Sequence, residues 1–96
     1  MNESHSVADT IRRKLEGAFR PSTLIVEDES ARHAGHAGAR EGGESHFRVR
    51  IVSTAFAGLS RVDRHKRVYE ALAAELQDRV HALALITLTP DEAAGL

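Results

Sequence analysis

A glycine-rich, polar stretch at residues 28–45 is the feature that most constrains the fold of this 96-residue chain. Gly35, Gly38, Gly42 and Gly43 weaken both helix and strand, so the stretch is predicted to be irregular. Its length of about seventeen residues exceeds the usual connection between elements, and such long loops are often functional. We therefore expect regular structure on either side and a functional loop between.

Hydrophobic periodicity predicts a helix before this loop and a strand on each side of it. Apolar residues recur every four positions from Val7 to Phe19, which is typical of an amphipathic helix. Ser6 is a plausible N-terminal cap and Pro21 ends the helix. Short strands are expected at residues 23–27 and 46–52. In the second strand Phe47, Val49 and Ile51 alternate with polar residues.

A second helix, a third strand and a short last helix are predicted after residue 60. Ser60 and Asp63 form the cap of the second helix. The apolar side of this helix is predicted to carry Val62, His65, Tyr69, Leu72, Ala73 and Leu76. Residues 80–88 are apolar on both faces, so we expect this strand to be well covered. Thr89, Pro90 and Glu92 predict the start of the last helix.

This order of elements predicts an α/β (α+β) fold in one domain spanning residues 1–96, with residues 1–5 and 93–96 frayed. Strands one and two can pair antiparallel across the loop, whereas the helical crossover between strands two and three suits parallel pairing. The economical outcome is a single three-stranded mixed sheet with helices on one face, in the order α-β-β-α-β-α.

The composition excludes several classes of protein. Apolar residues make up 42% and charged residues 28%, which are globular values. The formal net charge of −1 disfavours nucleic-acid binding through overall charge, although a local basic patch remains open. There is no run long enough for a membrane span and no signal-peptide core, so we expect a cytoplasmic protein with no membrane partner. The absence of a phosphate-binding loop, a nucleophile elbow and a carboxylate pair argues against a stand-alone enzyme.

Six histidines and no cysteine indicate metal chemistry that a partner would have to complete. Imidazole is the commonest neutral metal ligand, but a chain without thiols cannot build an iron–sulfur or zinc–thiolate site alone. His33, His36 and His46 lie in or beside the loop, and His81 begins the last strand. On the residues alone, His81 is better interpreted as a strand-end histidine bonded to a backbone carbonyl, and the loop histidines can be solvated. His65 is interpreted as a core or interface histidine.

Several motifs together resemble the BolA family, over about Leu15 to Glu92. They are Asp28-Glu-Ser30, Glu44-Ser-His-Phe47, Arg64-His65-x-x-Val-Tyr69, and Val80-His-Ala-Leu-Ala-Leu85 followed by Thr87-x-Thr-Pro90. The resemblance implies a KH-like fold of class II topology. It also implies an adaptor that forms a heterodimer with a monothiol glutaredoxin, in iron–sulfur cluster trafficking or in iron and redox sensing.

In such heterodimers a 2Fe-2S cluster is held by the glutaredoxin cysteine, a glutathione thiol and ligands from the BolA side. The resemblance assigns His81 as one ligand and His33 as the loop ligand, with His36 as the alternative. The isolated chain is then expected to be a monomer without a cluster.

A basic cluster on the second helix supports an alternative function in transcription regulation. Arg61, Arg64, Lys66 and Arg67 could contact DNA through a helix-turn-helix-like arrangement of residues 54–77. Only Gly58 stands where a nucleic-acid-binding KH domain would carry a Gly-x-x-Gly clamp, so this alternative ranks second.

Overall fold

The computed structural model describes residues 6–29 and 45–95. Most of the predicted loop, including His33 and His36, lies outside these residues, as do residues 1–5 and 96. The described elements are α1 (Val7–Phe19), β1 (Thr23–Asp28), β2 (His46–Val52), a 3-10 helix (Thr54–Phe56), α2 (Arg61–Ala71), α3 (Ala73–Asp78), β3 (Ala82–Leu88) and α4 (Pro90–Gly95). No helix within these residues is long and apolar enough to cross a membrane.

The three strands form one mixed sheet in the order β1-β2-β3, which confirms the predicted fold class. β1 pairs antiparallel with β2, with Thr23 opposite Val52 and Asp28 opposite Phe47. β2 pairs parallel with β3, with His46 opposite Ala82. The parallel pair needs a crossover, which α2 and α3 provide.

The hydrophobic core lies between the sheet and the helices. The four-residue period of α1 buries Ile11, Leu15 and Phe19 against β2 and the connection that follows it. Phe56 is fully buried, with its ring centroid 5.1 Å from that of Phe19. Burying a side chain of this size contributes about 1.5–3 kcal/mol, so this face supplies much of the stability.

Ser53 ties the end of α1 to the end of β2. Its hydroxyl donates to the carbonyl oxygen of Phe19 at 2.6 Å and accepts from the N–H of Ala55 at 3.0 Å. Phe19 and Ser53 are both buried, so the carbonyl oxygen of Phe19 would otherwise be left without a donor in the interior. The helix caps predicted at Ser6 and Ser60 are also present, since their hydroxyls accept from the N–H of Asp9 and of Asp63.

The predicted apolar side of the second helix is wrong in part. Val62 is 61% exposed and Tyr69 40%, whereas Val68 and Leu72 are buried. The inward side of the helix consists of Arg64, Val68 and Leu72. Because a charged residue is one of the three, the hydrophobic pattern did not indicate this side as the buried one. The helix is also broken, because Leu72 takes φ −108° and ψ 21° between α2 and α3.

The prediction that the third strand is well covered is wrong for one of its faces. Leu83 and Leu85 pack against the core, but Ile86 is 42% exposed on the opposite face. The helices cover one face of the sheet, and no described element covers the other. The apolar residues on that face are small or partly exposed, as with Ala82, Ala84 and Ile86.

Candidate functional site

The predicted ligand His81 lies at the end of the sheet where β2 and β3 begin and β1 ends. It immediately precedes β3, and its main-chain N–H donates to the carbonyl oxygen of Ser45 at 2.8 Å. The N–H of Ala82 approaches the same oxygen at 3.2 Å. Two hydrogen bonds to one buried residue therefore fix the backbone of His81 while the residue itself is exposed.

Ser45 and His46 form the neighbouring part of this end. Ser45 is 1% exposed, and its Oγ lies 2.9 Å from Nδ1 of His46. His46 is half-buried and stands beside Ala82 in the register of the parallel strands. The hydroxyl of Ser45 thus holds the imidazole of His46, and His46 lies beside Ala82, the residue that follows His81.

Segment 30–44 connects the two strands at this same end, since β1 ends at Asp28 and β2 begins at His46. The N–H of Glu29 donates to the carbonyl oxygen of His46 at 2.7 Å, which closes the antiparallel ladder just before the segment begins. The carboxylate of Glu29 lies 3.2 Å from Nε of Arg48. His33 and His36 belong to the segment and lie outside the described residues, so their predicted ligand role stays a prediction.

The part of the chain that the structure describes does not contain a complete metal site. No group of three or more histidine, aspartate or glutamate side chains in residues 6–29 and 45–95 is arranged to hold a metal ion. The chain has no cysteine. In the described residues His81 and His46 share one end of the sheet, whereas His65 lies elsewhere, on α2.

The basic cluster of α2 divides into one internal arginine and three exposed cations. Arg64 is inward, with its side chain only 11% exposed. Its Nε donates to the carbonyl oxygen of Leu59 at 2.9 Å, and its Nη1 to that of Thr87 at 3.1 Å. It also forms a bidentate pair with Glu92 at 2.7 and 3.1 Å. Any nucleic-acid contact at this helix would therefore fall mainly to the exposed members, Arg61, Lys66 and Arg67.

The pair between Arg64 and Glu92 docks α4 against α2. Glu92 also accepts the N–H of Thr89 at 2.9 Å, and the Thr89 hydroxyl accepts the N–H of Glu92 at 3.2 Å, which confirms the predicted start of the last helix. The hydrogen bonds from Arg64 and from Thr89 lower the pKa of Glu92 to about 2. The carboxylate is consequently charged throughout the neutral range.

His65 is partly buried on α2 beside the carboxyl end of β3. Its ring meets that of Tyr69 edge-on, with 6.5 Å between centroids. Burial and, to a smaller degree, the charge of Arg61 lower the pKa of His65, which favours the neutral form of the imidazole. It stands in a groove with Leu85 and Thr87, at the opposite end of β3 from His81.

Comparison with known proteins gives a consistent set of similarities. The family model described as "BolA-like protein" matches residues 15–92. A Sinorhizobium protein named "Uncharacterized protein in cobS 5'region" is 50% identical over 88 residues, covering 91% of this chain and 95% of its own. The Escherichia coli protein named "DNA-binding transcriptional regulator BolA" is 47% identical over 90 residues, covering 94% and 82%. Among solved structures, the BolA domain of SufE1 from Arabidopsis thaliana matches with a TM-score of 0.81 and 46% identity, covering 93% of this chain and 98% of that one.

Proposed function

The chain belongs to the BolA family, and we propose that it is a cytoplasmic adaptor that shares a 2Fe-2S cluster with a monothiol glutaredoxin. In this proposal the chain contributes His81 and one loop histidine, His33 or His36. The glutaredoxin cysteine and a glutathione thiol contribute the sulfur that this sequence lacks.

The observation that carries the proposal is the position of His81. The main chain of His81 is fixed by a hydrogen bond to Ser45, whereas the residue is exposed to solvent. His81 also lies at the end of the sheet where segment 30–44 connects β1 to β2. A ligand on a rigid element keeps its geometry better than one on a loop, so His81 suits the role of the anchored ligand.

The donors available fit half of a shared cluster. A chain that offers imidazoles without thiolates can ligate one iron while a partner supplies thiolates to the other. When bound, such a cluster has a higher reduction potential than an all-cysteine cluster. Protonation of an imidazole removes its ligand lone pair, so the ligation by this chain is also expected to weaken in acid.

The described residues support a binding role more than a catalytic one. Ser45 Oγ and His46 Nδ1 are 2.9 Å apart, the distance of a nucleophile and its base. Ser45 is, however, 1% exposed, so a substrate could not reach its hydroxyl. We interpret this pair as structural, since it orients His46 beside the strand that follows His81.

The test is to mix the purified protein with a glutathione-loaded monothiol glutaredoxin and record the visible spectrum. We expect a heterodimer with a cluster spectrum that differs from that of the glutaredoxin alone, and no cluster on the isolated chain. His81→Ala should abolish the difference, whereas the matched variant His65→Ala should keep it, because His65 lies at the other end of β3. A stable cluster on the isolated chain, or an unchanged spectrum with His81→Ala, would refute the proposal.

DNA binding is a second candidate, favoured by the exposed cations of α2 and by the name of the Escherichia coli relative. If it is correct, replacing Arg61, Lys66 and Arg67 by alanine should weaken DNA binding. The slope of log affinity against log salt should fall by roughly 0.9 for each phosphate that the variant no longer neutralises. Unchanged affinity and slope in the triple variant would rule out this helix as the DNA-binding surface.

A further inference from the structure

The edge of the sheet formed by β3 has features of a peptide-binding site. β3 is seven residues long and contains no charged residue, proline or glycine. Sheet edges are normally protected by such residues, as β1 is by Glu27 and Asp28 at the opposite edge. An unprotected apolar edge strand is a template for pairing with another extended segment.

The hydrogen bonds of β3 show which of its main-chain groups face outward. The N–H of Ala82 donates to Ser45, and the carbonyl of Leu88 accepts from Ser53, so the even-numbered residues face β2. The carbonyl of Thr87 instead accepts from Arg64, so the odd-numbered residues face the free edge. Since successive residues of a strand alternate in this way, Leu83 and Leu85 present their N–H and C=O groups outward. These groups have no hydrogen-bond partner within residues 6–29 and 45–95.

A groove of about 310 Å³ lies along this edge, next to α2. Its lining consists of Arg61 and His65 from the helix and residues 85–88 from the strand. A second cavity of about 350 Å³ adjoins it and shares Arg61, Thr87 and Leu88. Each volume is at the lower end of those found for ligand pockets, and the pair could accept side chains from an added strand.

The chemistry of the groove indicates what kind of segment would fit. Arg61 is exposed and makes no ion pair or hydrogen bond with the described residues, and no acidic residue lines the first groove. Thr87 is 6% exposed, and its hydroxyl oxygen has no hydrogen-bond partner in the described part of the chain. Apolar walls, an outward-facing backbone and an unpaired cation are complementary to an apolar strand that carries a carboxylate.

We propose that the free edge of β3 binds an extended segment of a partner protein, apolar at its centre and with a carboxylate that pairs with Arg61. Main-chain hydrogen bonds to Leu83 and Leu85 supply the affinity, and the groove beside α2 selects the side chains. A second copy of this chain fits less well, because its β3 has no carboxylate to offer Arg61. The proposal does not depend on the cluster, and its test uses the isolated protein without metal.

The test uses two synthetic peptides with the length of β3, made of alternating valine and threonine. One has glutamate at both ends and the other lysine at both ends, so that either strand orientation places a charge near Arg61. At a free peptide concentration ten times the Kd, we expect the amide hydrogens of Leu83 and Leu85 to exchange about ten-fold more slowly. Those of Ala84 and Ile86, which already bond to β2, should change little.

Charge reversal at Arg61 provides the second readout. Arg61→Glu should weaken binding of the glutamate peptide roughly two- to five-fold and strengthen that of the lysine peptide. An acidic residue in the first turn of α2 is compatible with the helix, so the fold should persist. Arg67→Glu makes the same charge change in a different cavity, away from the strand edge, and should have little effect.

Three results would overturn the proposal. The first is unchanged exchange at Leu83 and Leu85 with both peptides at saturating concentration. The second is an equal effect of Arg61→Glu and Arg67→Glu on peptide affinity. The third is an isolated protein that sediments as a dimer with these two amides already protected, which would assign the edge to a second copy.

Discussion

Replacing Arg64 should test whether this arginine belongs to the folded framework or to a binding surface. In Arg64→Ala the carbonyl oxygens of Leu59 and Thr87 are deprived of their charged donor, and Glu92 no longer ties α4 to α2. In Arg67→Ala the same charge is removed from an exposed site of the same helix with no partner among the described residues. The two variants therefore separate the structural effect from the effect of charge.

The magnitude follows from the two bonds to main-chain carbonyls. A hydrogen bond to a charged group contributes about 1.5–3 kcal/mol, and these two share one side chain that is 11% exposed, so they are not additive. The pair with Glu92 adds only a small further amount, because the glutamate side chain is 44% exposed and solvent screens it. The expected decrease in free energy of unfolding is therefore about 2–3 kcal/mol for Arg64→Ala and below about 0.5 kcal/mol for Arg67→Ala.

Urea denaturation followed by circular dichroism measures this difference. At an m-value of about 1.5 kcal/mol/M, the midpoint for Arg64→Ala should fall by roughly 1.3–2 M, and that for Arg67→Ala by less than about 0.4 M. Arg64→Lys keeps the charge but not the planar fork, so it should recover only part of the stability. Equal midpoints for Arg64→Ala and Arg67→Ala would show that the internal bonds of Arg64 contribute nothing and would refute the reasoning.

Three further predictions concern acid stability, the buried serine and the histidines. The pKa of Glu92 in the folded protein, about 2, lies below its ordinary value of 4.5, so the charged carboxylate stabilises the fold fully above pH 4.5, and this effect is lost as the pH falls toward 2. The difference in free energy of unfolding between the parent and Glu92→Gln should therefore shrink from pH 4.5 to pH 2. A difference that stays constant over this range would contradict the assignment. Ser53→Ala should cost about 1–3 kcal/mol in thermal or urea unfolding, because it leaves the Phe19 carbonyl without its donor, and an unchanged midpoint would show that water replaces the hydroxyl. With the same glutaredoxin, His33→Ala should speed cluster loss and the double change of His33 and His36 should speed it further, while equal loss rates in the parent and the double variant would exclude a loop ligand.

The spacing of hydrophobic residues predicted the order of elements and the mixed sheet. It did not predict which of two neighbouring sides of α2 is buried. The sequence stripe through Val62, His65 and Tyr69 is apolar in pattern, whereas the structure buries Val68 and Leu72 and turns Arg64 inward. An arginine with two carbonyl acceptors can occupy an inward position, and one of those acceptors, Thr87, comes from a distant strand. Periodicity within one helix contains no information about such a partner.

The strand β3 illustrates a second limit. An apolar run indicates burial on both faces only when other elements cover both faces, and here the described helices lie on one. The structure places His81 at the sheet end beside Ser45, and the ligand role that the resemblance gives it stays a prediction. The loop ligand could not be chosen in the same way, because two histidines three residues apart occupy a glycine-rich segment with no periodic pattern.

The hydrogen bond from the N–H of Glu29 to the carbonyl oxygen of His46 makes the pairing of β1 with β2 independent of the length of segment 30–44. The ladder between β1 and β2 is complete before the segment begins, so residues can be inserted or deleted there without shifting the strand register. The entropic cost of closing a longer loop grows slowly, by about 0.6 kcal/mol for each doubling of length. A change in the number or spacing of the histidines in this segment should therefore cost the fold little, while His81 keeps its place on the sheet.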